Sequence, residues 1–272
     1  SLHFDGAMQS ESREHALLLH ELKKDFGSNR LFLAYQPQVE LASRRVIAFE
    51  ALLRWRTKTG ELVAPDRFIP LAEQTGLIVD IGTWVARQAL QVAKTLRESG
   101  YPDLRVAVNL SPAQLRQPTF VSVVESELLA ADAQPSQLEL EVTESVSVLG
   151  QSLVIDRLKR LADLGITIAI DDFGTGYSSL SYLDQLTANR LKIDRSFISG
   201  NASGNNDFSI AAMIIDLARR LDMRTLAEGI ETAAQAQTLL SMGCDEAQGY
   251  FFARPMHQEA LLGWLEQHND AV

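Results

Sequence analysis

A short apolar run that closes on a carboxylate or an amide recurs along this chain, and its clearest case is residues 166–170 followed by Asp171 and Asp172. Gly174 and Gly176 come next and let the following loop bend sharply, before Tyr177, Ser178 and Ser179 open a helix-like apolar segment. Alternation along a strand puts Asp171 on the side of Ala169 and Thr167, opposite Ile168 and Ile170. A carboxylate is thereby aimed over the carboxyl edge of a sheet, with small side chains beneath it. Taken alone, the same residues also describe a helix N-cap with a spare surface Asp. Recurrence decides between the two.

Residues 31–39 and 45–55 read as neighbouring strands joined by a turn at 41–44. In the second, Ala48, Glu50, Leu52 and Arg54 share one face, with Ile47 and Phe49 on the other. Helical spacing follows at 68–74 and 81–98. A strand at 105–111 carries Asn109 near its end, and after a helical stretch a strand at 137–144 carries Glu141. A helix at 153–164 leads to the Asp171 strand, then comes a strand at 190–194 with Lys192. Residues 200–206 have a flexible-loop composition, 208–221 are helical, and 224–231 form a further strand bearing Glu228. After another helix, 248–252 and a closing helix at 258–267 complete the chain.

Strands alternating with helices at this spacing predict an α/β fold with a largely parallel sheet. Polar residues at most strand exits favour a closed, modified TIM (β/α)8 barrel, whose active site lies at the carboxyl ends of its strands. The hairpin-like first pair predicts a first strand antiparallel to the others. Ala48, Ala107 and Ala169 each stand two residues before a polar exit residue, which leaves room at the mouth for ions and water.

The 272-residue length suits one such barrel, and the formal net charge of -10 argues against a nucleic-acid polymer or an anionic membrane surface as partner. Cys244 is the only cysteine, which fits a reducing, cytoplasmic setting. No apolar stretch is long enough to span a bilayer, so no direct membrane contact is expected of this domain. Residues 1–9 read as a cloning scar or linker and 10–29 as a lead-in helix, serving either the domain itself or an upstream signalling module. Residues 30–268 form the principal domain.

Glu50, Asn109, Glu141, Asp171, Asp172 and Glu228 bring five carboxylates and an amide to one rim. So many like charges need compensation, and an all-oxygen set with no histidine points to Mg²⁺ or Mn²⁺. The adjacent Asp171 and Asp172 suit two ions, a device that activates water and stabilises the departing oxygen of a phosphate ester. Ca²⁺, which takes more ligands at longer distances, is expected to compete and inhibit. Lys192 either orients water and balances phosphate charge or is a buried ion-pairing lysine. Arg54 either meets a phosphate oxygen or forms a salt bridge. Ser178 and Ser179 read as residues at the start of a helix, since no histidine base occupies a strand-end motif.

Glu50-Ala51-Leu52 with Arg54, Asn109-Leu110-Ser111, Glu141-Val142-Thr143-Glu144, Asp171-Asp172-Phe173-Gly174-Thr175-Gly176, Leu191-Lys192-Ile193-Asp194, Glu228-Gly229-Ile230-Glu231 and Gln248-Gly249-Tyr250, in this order, resemble the EAL-domain family of bacterial cyclic di-GMP phosphodiesterases. The resemblance covers about residues 31–265 and shows no departure at the motif positions. It implies hydrolysis of cyclic di-GMP to linear pGpG with Mg²⁺ or Mn²⁺. Glu50, Asn109, Glu141 and Asp171 resemble ligands of a first ion. Asp172 matches a ligand of a second, with Asp171 bridging. Lys192 and Glu228 resemble the pair that handles the attacking water, Glu228 also through a metal, with Gln248 nearby. Gln36 and Arg54 resemble substrate contacts, and Glu144 the anchor of the loop 172–179. The resemblance further implies a homodimer and covalent linkage to upstream sensory or GGDEF domains. Two other readings compete: a non-catalytic cyclic di-GMP receptor, and an unrelated metal-dependent barrel enzyme acting on enolisable acids.

Overall fold

A computed structural model of the chain describes residues 2–144, 152–175, 186–198 and 208–269, with side chains from residue 13 to residue 268. Gly176, Tyr177, Ser178, Ser179 and the loop at 200–206 lie outside the described residues. The first helix, α1 (Leu2–Asp25), already begins within the stretch read as a linker.

The strands β1 (Leu31–Glu40), β2 (Val46–Arg56), β4 (Arg105–Leu110), β5 (Leu138–Thr143), β6 (Thr167–Phe173), β7 (Arg190–Ile193), β8 (Arg224–Ala227) and β9 (Glu246–Gln248) close into a ring, and β3 (Leu62–Val63) pairs outside it with β2. From β2 to β9 every neighbouring pair in the ring is parallel. Only β1 runs the other way, antiparallel to both β2 and β9, and it closes the barrel. A hairpin can join β1 to β2 because antiparallel neighbours need only a tight turn, whereas each parallel step needs a crossover.

Among the described residues those crossovers are the amphipathic helices α2 (Pro65–Thr75), α3 (Leu77–Glu98), α5 (Phe120–Ala131), α6 (Ser152–Asp163), α7 (Ser209–Arg220) and α8 (Ala233–Met242), with the short α4 (Pro112–Leu115) after β4 and α9 (Gln258–Asn269) last. Their apolar stripes cover the outward faces of the strands. In α3, Ile78, Ile81, Val85, Ala89, Val92 and Leu96 recur at helical spacing and all are buried. Residues such as Phe49, Val106, Ile168 and Leu191, which alternate with the polar exit residues, form the layer they pack on.

Three boundaries differ from the sequence reading. β6 does not stop at Ile170 but continues through both aspartates to Phe173, because its register with β7 shifts between Ile170 and Phe173. β9 ends at Gln248 rather than starting there, and β8 ends at Ala227 just before Glu228. Helix α1 is tied to the barrel through its last residue. Asp25 is buried, accepts a hydrogen bond from Trp55 Nε1 at 3.1 Å and pairs with Arg30 at 3.1 Å. Trp55 is fully buried with its ring edge-on to Phe68 of α2. The end of α1 is therefore held by the residue next to Arg54.

Candidate active site

The parallel strands all point their carboxyl ends to one rim, and alternation turns their exit side chains inward. The centre of the rim is Lys192, almost wholly buried. Its ammonium lies 2.7 Å from Glu141 Oε2, 2.8 Å from Glu228 Oε1, 3.0 Å from Asp171 Oδ1 and 3.8 Å from Glu50 Oε1. Glu50 accepts hydrogen bonds from Asn109 Nδ2 at 2.8 Å and Gln248 Nε2 at 2.5 Å. Gln248 also donates to Gln36 Oε1 at 3.2 Å, and Gln36 donates to the Ala253 carbonyl. Residues scattered from position 36 to 248 thus form one connected polar cluster.

The electrostatics divide the carboxylates. Burial pushes Glu50, Glu141, Asp172 and Glu228 up, but at Glu50 the Lys192 charge and the two amide donors outweigh it and hold the group below its ordinary value. Glu141 rises well above its ordinary value through burial, Lys192 being opposed by the charges of Glu50 and Asp171. Burial takes Glu228 to about 8 and Asp172 to about 6, with Asp171 adding to both. Lys192 is pushed up, since its four carboxylates outweigh desolvation. One ammonium does not neutralise this many acids.

The donors fit divalent cations. Ligand oxygens of Asp171, Asp172 and Glu228 lie within 4.8 Å of one another, and Glu141 Oε1 is buried with no hydrogen-bond partner. Such a buried lone acceptor is costly unless something positive meets it. The set is all oxygen, as hard cations prefer.

Asp172 reaches the rim by a backbone device. Its φ is +52°, in the left-handed region that Asp tolerates better than most residues, and its N–H bonds back to Asp171 Oδ1 at 2.9 Å. The bulge turns two consecutive carboxylates toward one place, which plain alternation forbids. Beyond it, Gly174 N–H donates to Glu144 Oε2 at 2.9 Å. Gly174 has φ +95°, and a Cβ there would stand 3.1 Å from the Phe197 ring. Arg54 is half-buried, donates to its neighbour's carbonyl at Leu53, and forms no ion pair among the described residues. It lines a cavity of about 530 Å³ that includes Asn109, Asp171 and Asp172.

A family model, the EAL domain, matches residues 19–255. The chain belongs to the EAL domain family. It is 42% identical over 259 residues to the bifunctional diguanylate cyclase/cyclic di-GMP phosphodiesterase MucR of Pseudomonas aeruginosa, covering 95% of this chain and 38% of that protein. It is also 42% identical to the cyclic di-GMP phosphodiesterase NbdA of the same organism, over 91% of this chain and 32% of the relative. The chain thus spans about a third of the length of these curated relatives. Among solved structures, the PaMucR phosphodiesterase in complex with c-di-GMP superposes with a TM-score of 0.86 at 43% identity, covering 90% of this chain and 99% of that one. The EAL enzyme Bd1971 with cAMP and cyclic di-GMP bound gives 0.88 at 33% identity, over 94% and 70%.

Below the rim this EAL domain carries a second charged layer that reading the sequence missed. Arg190, two residues before Lys192, pairs with Glu139, with Glu246 and with Gln38 Oε1 at 3.1 Å, all fully buried. Arg105 joins Glu139 at 3.1 Å from the edge. The inward alanines serve this layer, and the space beside them is filled by side chain. Ala107 is level with Glu139, and Ala169 with Glu141 and Arg190. The Leu-Glu-Leu-Glu alternation of β5 was the available signal, since Glu139 had to share the inward face of Glu141.

Proposed function

We propose that this EAL domain hydrolyses one phosphodiester bond of cyclic di-GMP to linear pGpG, lowering the level of that second messenger. The observation that carries the reading is the rim itself: carboxylates of Glu50, Glu141, Asp171 and Glu228 around Lys192, with one Glu141 oxygen unpaired. The similarity to relatives named as phosphodiesterases and to a c-di-GMP complex supports the substrate.

Glu50, Asn109, Glu141 and Asp171 would hold one Mg²⁺ or Mn²⁺, and Asp172 a second that shares Asp171. When bound, such ions lower the pKa of water and stabilise charge on a departing oxygen. The chain's own groups do the rest. Lys192 and Glu228, 2.8 Å apart, orient the attacking water, and Glu228 takes its proton. The new O–P bond forms as the bond from phosphorus to a ribose 3′-oxygen breaks, and that oxygen takes up a proton. Gln248 holds Glu50 against movement, and Gln36 and Arg54 contact the dinucleotide. Glu144 fixes the loop that carries Asp172. We further propose that the domain works as a cytoplasmic homodimer joined through α1 to upstream sensory or GGDEF modules.

The test is incubation of the purified chain with cyclic di-GMP and Mg²⁺, followed by chromatography. Appearance of pGpG is expected. Binding of cyclic di-GMP without product would favour the receptor reading instead.

A further inference from the structure

Asn109 differs from the other residues of the rim. Glu50, Glu141 and Asp171 are buried, whereas Asn109 is exposed, so packing does not fix its amide. Nor does the sheet hold it on both sides. β4 is paired with β5 as far as Leu110, but its pairing with β2 ends at Val108. On that open side the end of β4 depends on how the next residues are secured, and Ser111 secures them. Its N–H donates to Gln114 Oε1 at 3.1 Å, and its Oγ accepts the Ala113 N–H at 3.2 Å. The same hydroxyl donates to Glu73 Oε1 of α2 at 2.5 Å, a length proper to a hydroxyl on a charged carboxylate. Gln114 in turn lies against α3, where a Cβ on Gly82 would overlap its amide. Two helices therefore grip Ser111 where strand pairing has run out.

Asn109 Nδ2 donates to Glu50 at 2.8 Å, which leaves Oδ1 as the atom that can meet an ion. An exposed amide offers an ion that oxygen in one place only if its backbone is held. We propose that Glu73 is a positioning residue for the reaction: through Ser111 it holds the end of β4, so that the Asn109 amide keeps its nitrogen on Glu50 and its oxygen toward the ion. This rests on the metal site proposed above and adds to it a residue from a different element. Glu73 also lines the 530 Å³ cavity that contains Arg54 and Asp172, so a direct contact with substrate is the rival role. The two roles differ in what they need. Positioning needs an acceptor for the Ser111 hydroxyl and acts before any substrate arrives, whereas a substrate contact acts only once the dinucleotide is bound.

The test is Mn²⁺ affinity of the substrate-free protein, read by titration calorimetry. The parent, Glu73→Ala, Glu73→Gln, Ser111→Ala and the Glu73→Ala/Ser111→Ala double variant are compared, each checked for parent-like circular dichroism and cooperative unfolding in a chelator. Glu73→Ala is expected to weaken Mn²⁺ on the order of tenfold, and Ser111→Ala to lose as much. The double variant should lose little more than either, because both substitutions break one link. Glu73→Gln, which keeps an acceptor for the hydroxyl, should stay close to the parent. Unchanged Mn²⁺ affinity in Glu73→Ala and Ser111→Ala overturns the proposal. So does a Glu73→Gln as weak as Glu73→Ala, since the charge would then act directly on the ion. Intact Mn²⁺ affinity with weakened cyclic di-GMP binding in Ca²⁺ would make Glu73 a substrate contact and overturn it too. If the parent shows no Mn²⁺ binding that Asp171→Asn removes, the metal site itself fails, and this inference with it.

Discussion

Glu144 Oε2 accepts the backbone N–H of Gly174 at 2.9 Å, so a carboxylate just past β5 holds the turn just past β6. Three residues earlier on the same strand, Glu141 puts its oxygens into the rim, 2.7 Å from Lys192. The two acids therefore do different work.

Glu141→Gln should abolish turnover at any Mg²⁺ concentration, because an amide cannot supply the missing charge. Glu144→Ala should instead raise the Mg²⁺ requirement by loosening the turn that follows Asp172, with partial rescue by excess metal. Glu144→Gln, which keeps an acceptor, should be the milder of the two. Activity titrated against Mg²⁺ separates these outcomes. An inert Glu144→Gln beside a metal-responsive Glu141→Gln would mean the roles are reversed.

Replacing Mg²⁺ by Ca²⁺ should leave cyclic di-GMP bound and little or none of it cleaved. Calcium prefers more ligands at 2.3–2.6 Å or so, against about 2.0–2.1 Å for magnesium, and would place the reacting water poorly. Equal turnover with the two metals would contradict a strict two-ion geometry.

The metal-free protein should lose stability as pH rises from about 5 to 8. Glu228 at about 8 and Asp172 at about 6 both sit above their ordinary values, so the folded state binds more protons than the unfolded state across this window. Stability held by these protons is lost as they leave. Glu50, held low, has the opposite sign, but it acts below its ordinary value and outside the window. Thermal melts in a chelator should show the decline, and the rise in Tm on adding Mg²⁺ should be larger at pH 8 than at pH 5.5. A Mg²⁺ effect independent of pH would sink the assignment.

Arg190→Met should cost about 3–5 kcal/mol, because it leaves Glu139 and Glu246 buried without their shared cation. Excess Mg²⁺ should not restore the loss, since these acids lie in the layer beneath the rim. Denaturant unfolding with and without Mg²⁺ checks both statements. Rescue by the metal would show that the two layers exchange charge.

Much of this barrel was legible before any coordinates, because strand alternation is local. It told that Glu50, Asn109, Glu141 and Asp171 share the inward face of their strands, and the hairpin at 41–44 pointed to an antiparallel β1. What a local pattern cannot give is the partner across the barrel. Arg190 meets Gln38 and Glu246 only because β1 closes the ring against β2 and β9, joining residues 152 and 56 positions away. Asp172 was expected at the rim beside Asp171, yet strict alternation turns it outward, and it is the register shift against β7 together with its positive φ that brings it there. The sequence determined which face each side chain occupies, through the two-residue period of a strand. Tertiary structure decided which charges meet, because the pairings depend on closure and register between strands far apart in the chain.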